Sequence, residues 1–123
     1  MIASALMVIC MAPHLAHAQQ QYVEPTPGCV QAFYDPAYYN WLSYRNTCPQ
    51  AVSVLWISHR PGLNGASDIS TGGKANTGWS AQEIQNAGGL EVYACPAHYN
   101  PVDANGNYLT RPLAQYGCKY RGY

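Results

Sequence analysis

Apolar and polar positions alternate with a period of two along much of this chain, the spacing that puts successive side chains on opposite faces of a strand. Residues 29–34 (CVQAFY) predict a first strand, ended by a turn at Asp35-Pro36. Tyr39 to Cys48 predicts a second, with Asn40, Leu42 and Tyr44 on one side and Tyr39, Trp41 and Ser43 on the other. Both of its sides carry aromatic rings, so it is expected to be covered on each face. The clearest strand is 51–58 (AVSVLWIS), whose β-branched and bulky residues suit a central position. His59 to Ala66 reads as loop, punctuated by Pro61-Gly62 and Asn64-Gly65, and a short strand is expected at Asp68 to Thr71.

The alternation breaks once. Ser80-Ala-Gln-Glu83 is a capping box, and Gly88-Gly89 stands where a left-handed C-terminal cap would fall, so one short helix is predicted at about 81–87. The rival reading of the same stretch is a further strand. Leu90 to Cys95 returns to strand, and the Asn105-Gly106 pair predicts a tight hairpin turn. Asn100-Pro101 reads as a proline-bearing turn, and the tail beyond Arg111-Pro112 as irregular, tied down by Cys118. The expected fold is mostly β: a small disulfide-stapled β-sandwich or barrel with at most one short helix.

The N-terminus follows a different pattern. Ile2 to Met11 is almost wholly apolar, too short to span a bilayer, and Ala16-His17-Ala18 has the small-x-small form of a signal-peptidase site. Residues 1–18 are therefore expected to be a signal peptide, although no Lys or Arg precedes the apolar run. Residues 19–28 are polar with two prolines and read as a flexible leader, leaving 29–123 as a single β domain. A lipid anchor is not expected: Cys10 follows Ile9 rather than a small residue, and Cys29 lies far beyond the apolar run. No later stretch is apolar enough to insert stably in a membrane.

Composition narrows the partners. Six basic residues balance six acidic ones, and no basic stripe is present, which argues against nucleic acid. Cysteine sets the compartment. Cys29, Cys48, Cys95 and Cys118 lie beyond the signal segment, and an even count in a short exported chain reads as two disulfides. Three pairings are open; Cys29–Cys48 with Cys95–Cys118 is favoured, because each brackets a hairpin-like turn. A periplasmic or secreted location follows. With no CxxC and only His59 and His98 to join the thiols, no metal or other cofactor is expected.

Catalytic signals are weak. No nucleophile motif occurs, the two histidines beyond the signal each lie near a proline-bearing turn, and acid pairs such as Glu83/Glu91 or Asp68/Glu91 arise by chance in any such chain. Gly72-Gly73-Lys74 lacks phosphate-loop spacing, and the Asp103 to Asn107 turn lacks calcium-loop spacing. The aromatic load is the feature that stands out: 11 Tyr and 3 Trp against a single Phe. Tyr38, Tyr39, Trp41 and Tyr44 cluster and form the candidate binding set, since such rings offer an apolar face with a polar tip. Phe33, Trp41 and Trp56 lie in apparent strands and suit a core.

The run Asn46-Thr-Cys48-Pro-Gln-Ala-Val52-Ser-Val54 resembles the asparagine-x-cysteine-then-strand opening of thaumatin-like β-sandwich proteins and of small exported bacterial β-domain proteins of unassigned function. The resemblance covers about a dozen residues, implies a β-sandwich and export, and carries over no site. The expectation is an exported, non-catalytic binding module that recognises another protein in the cell envelope or outside the cell. A cell-wall or other carbohydrate bound through exposed Tyr and Trp is the alternative, and a small hydrolase using His59 or His98 a further one.

Overall fold

The computed structural model describes residues 21–122, so the expected signal peptide lies outside the described residues. The described chain is mostly β: β1 (Tyr22–Val23), β2 (Val30–Asp35), β3 (Trp41–Asn46), β4 (Val52–Ser58), β5 (Asn64–Ile69), β6 (Lys74–Asn76), α1 (Ala81–Asn86), β7 (Leu90–Pro96), β8 (Tyr99–Val102) and β9 (Gly117–Tyr120). The strands form three three-stranded antiparallel sheets, ordered β2-β3-β6, β5-β4-β7 and β1-β9-β8.

β4 is the centre of the molecule because both of its faces are apolar. Val52, Val54 and Trp56 point one way and pack with Leu42, Tyr44, Ile69, Ile84 and Ala94 beneath the β2-β3-β6 sheet and α1. Leu55 and Ile57 point the other way and meet Tyr93, Leu109, Leu113 and Tyr116. β3 is covered on each face too, with Ser43 and Tyr44 both buried, as the sequence pattern expects of Tyr39–Cys48. The 108–116 segment is sewn to β7 by two tyrosines. Tyr93 accepts from the Leu113 N–H at 2.8 Å and donates to its carbonyl at 3.1 Å. Tyr116 does the same with Ala94, at 3.0 and 3.2 Å.

The two disulfides join Cys29 to Cys48 and Cys95 to Cys118, the pairing favoured by spacing. The first closes the layer built on β2 and β3. The second ties the central sheet to the β1-β9-β8 sheet through a small cluster of Cys95, Tyr99 and Cys118. The helix ends one residue short of the expected span and carries the whole capping box: Ser80 Oγ accepts from the Glu83 N–H at 3.2 Å and Glu83 Oε1 from the Ser80 N–H at 3.0 Å.

Several expectations are corrected. Asn64-Gly65 is not a turn; it opens β5, which begins four residues before the expected strand and pairs Gly65 with Trp56. A Cβ built on Gly65 would lie 2.7 Å from the Trp56 ring, so this glycine marks close packing within a strand. Pro101 lies in β8, opposite Cys118, where an edge strand tolerates its missing N–H. The tail contains β9, and Tyr22 and Val23 of the polar leader pair with it as β1. At Asn105-Gly106 the expected tight hairpin does form, setting Val102 antiparallel to Tyr108, with only the glycine at positive φ (79°). Asp103 braces it, its Oδ1 accepting from the N–H groups of Asn105 and Asn107 at 2.9 and 3.0 Å.

Candidate functional site

The register of β2, β3 and β6 sorts their side chains into two faces. Leu42 and Tyr44 point into the core, while Phe33, Asp35, Trp41, Ser43, Arg45, Lys74 and Asn76 share the opposite face, because cross-strand partners lie on one side of a sheet. That outer face ends in the β2–β3 turn, residues 36–40.

The turn is built on Asp35. Its carbonyl accepts from the N–H groups of Tyr38 and Asn40 at 3.0 and 2.9 Å, and its Oδ1 accepts from the Ala37 N–H at 3.0 Å. Its Oδ2 takes the Lys74 ammonium and the Asn76 amide, and Asn76 also donates to Ser43. The hydrogen bond from Lys74 is the chief cause holding the Asp35 carboxyl below its ordinary value, against the opposing effect of burial. Asp35 is 3% exposed and Ser43 fully covered although both stand on an outer face, where the Lys74 and Asn76 side chains bond to them.

Three ring contacts accompany this network on the projection. Tyr39 and Trp41 pack with ring centres 5.0 Å apart, the Lys74 ammonium lies 5.0 Å from the centre of the Tyr38 ring, and the Arg45 guanidinium lies 5.1 Å from that of Phe33. Tyr39 and Asn40 both adopt left-handed backbone, with φ of 54° and 57°. Asparagine tolerates this region; for a tyrosine it costs about 1–2 kcal/mol, so the Asp35 bonds on either side hold a strained residue in place. The outcome is a rigid projection whose tip, Tyr39, is 80% exposed.

The four rings read from the sequence therefore divide. Tyr38 and Tyr39 stand exposed, at 46% and 80%, and Trp41 is half-buried beneath Tyr39. Tyr44 is corrected: it is 2% exposed and packs on Trp56 with centres 5.7 Å apart, because alternation from Leu42 turns it into the core. It cannot meet a partner. Tyr34, although 47% exposed, pairs with Leu42 in register and so lies on the other face of the sheet, apart from the set. Sequence reasoning missed Asp35, Lys74 and Asn76. Asp-Pro before an aromatic pair was a legible sign of a side-chain-built turn, but Lys74 comes from 39 residues away on a three-residue strand.

The catalytic candidates are not brought together. His59 follows the end of β4 and His98 the far end of β7, and the β4–β7 ladder runs between them from Ser58↔Leu90 to Val52↔Pro96. At about 3.4 Å per residue that ladder is roughly 20 Å long. His59 meets Glu91 at 3.2 Å, with both side chains about half exposed. Ser58 beside it points its Oγ to the Arg60 carbonyl and accepts from the Leu63 N–H, so it is no nucleophile for that pair. Asp68 and Glu91 face Ser53 and Ile57 on opposite sides of β4, four residues apart along it, a span of about 13 Å and beyond the reach of paired glycosidase carboxylates. Glu83 serves the helix cap. Among the described residues no group of three or more His, Cys, Asp or Glu gathers to hold a metal ion, and no helix is long and apolar enough to cross a membrane.

Comparison with protein-family models, with curated proteins and with solved structures found no match.

Proposed function

We propose that this protein is an exported, non-catalytic binding module that recognises another protein through the β2–β3 projection, with Tyr38 and Tyr39 at its tip and Trp41 beside them. One observation carries the reading: a tyrosine is held almost fully exposed in a strained backbone conformation by a buried network under it. Strain that the surroundings enforce accumulates at sites of function. A preorganised tip also binds more tightly, because the ordering cost is met during folding.

Chemistry favours a protein over a sugar at this face. Tyrosine, tryptophan and arginine dominate the energetic centres of protein interfaces. A sugar needs free polar partners beside the ring, and here Asp35, Asn76, Ser43 and Lys74 are engaged with one another. The two disulfides indicate an oxidising location outside the cytoplasm; the periplasm or the extracellular medium is the setting proposed, with no cofactor involved.

The test is affinity capture from an envelope and culture-medium extract with the disulfides intact, run in parallel with Tyr38→Ala/Tyr39→Ala. The proposal expects one protein retained in near-stoichiometric amount by the wild type and lost with the double variant. Retention of nothing above background, or equal retention by both, would overturn it.

A further inference from the structure

A second surface, separate from the projection, is a groove of about 380 Å³ between the central sheet and β8. Its apolar floor is Leu55 and Ala66, which pair across β4 and β5 and so lie on one face, with Pro101 of β8 as a wall. Tyr108 stands at its side as a 64% exposed residue, and Asp68 and Asn100 supply polar edges.

The polar edge is built rather than incidental. Asp68 Oδ1 accepts from Ser53 Oγ at 2.8 Å, and Arg121 grips both carboxylate oxygens at 3.3 Å. Burial pushes the Asp68 carboxyl up, but the hydrogen bonds from Arg121 and Ser53 outweigh it and hold the group below its ordinary value. The carboxylate is thus fixed in direction, while its side chain stays 63% exposed. A carboxylate offers about four acceptor positions, and these bonds fill three of them.

From this arrangement we propose that the groove binds a neutral pyranose unit, the ring's C–H face on Tyr108 and the apolar floor, and its hydroxyls on Asp68 and Asn100. The volume falls at the lower end of ligand sites, which suits one sugar residue rather than a chain or a large cofactor. Charge argues the same way: Asp68 and Arg121 cancel, so the groove favours neither an anion nor a cation. An exposed tyrosine flanked by an oriented acceptor and an amide matches the two-sided character of a sugar, apolar on its faces and hydroxylated at its rim. The inference does not depend on the projection and stands if that surface binds nothing.

Methyl β-glycosides of glucose, galactose and N-acetylglucosamine, titrated into the oxidised protein with amide shifts recorded, test it. At least one is expected to bind saturably at millimolar concentration, with shifts at Ala66, Ser67, Asp68, Asn100 and Tyr108. Tyr108→Ala should weaken it about tenfold, the scale of one aromatic contact. Ala66→Leu, which fills the floor without touching the ring, should weaken it as well, while Tyr39→Ala leaves the titration unchanged. No saturable shift with any glycoside, shifts centred on Tyr38 and Tyr39, or binding of the peptide Ala-Ala-Ala with none of the glycosides would each overturn the proposal.

Discussion

At the scale of single residues the central actor is Asp35, a buried carboxylate held by Lys74 and Asn76. Because its ionised form is favoured in the folded state, the unfolded chain takes up a proton first as pH falls past the ordinary value of 3.8. Stability from this group is therefore present above about pH 4 and lost below it. Thermal melts followed by circular dichroism should show the wild type losing stability as pH falls from about pH 4 toward pH 2. Asp35→Asn should melt lower at neutral pH and respond less to acid, the two curves converging at the acid end. Equal melting temperatures at neutral pH would mean that the Lys74 and Asn76 contacts do not brace the turn. The aromatic crowding was legible in the sequence; its division into core and surface was not. Alternation correctly put Leu42 and Tyr44 together, but treating Tyr39 and Asn40 as strand hid that they are a left-handed turn.

At the scale of elements, the structure divides into pieces that local signals fix and pieces that only tertiary contact fixes. β4 and α1 were readable because a run of β-branched residues and a capping box each act within a few neighbours. β6, β8 and β9 have three or four residues each, too short for periodicity, and form because a neighbouring strand presents an unpaired ladder. Pro101 and Asn64-Gly65 misled for the same reason: turn residues were judged without the edge position or the Trp56 ring that tolerates or requires them. Gly65→Ala tests the last point. The added methyl meets the Trp56 ring, so a loss of about 1–3 kcal/mol is expected in urea unfolding. A loss well under that would show that Trp56 can move aside. Trp56 fluorescence should change in the same variant, since its ring packs on that backbone.

At the scale of the whole molecule, three small sheets pack about the central β4; one disulfide closes the β2–β3 layer and the other ties the central sheet to the β1-β9-β8 sheet. Each bridge closes a loop of about 20 residues, worth about 3 kcal/mol on the loop-entropy account, a large share of a domain this size. That anchoring lets the β2–β3 projection hold a strained tyrosine in solvent rather than fold it inward. The central claim is that this tyrosine touches a partner protein. Replacing Tyr39 with a photoreactive phenylalanine in producing cells tests this most directly, with Gln115, an exposed residue of the distant tail, as the control position. On irradiation, position 39 should give a discrete adduct of one added protein mass and position 115 none. No adduct at position 39, or the same adduct from both, would contradict the account.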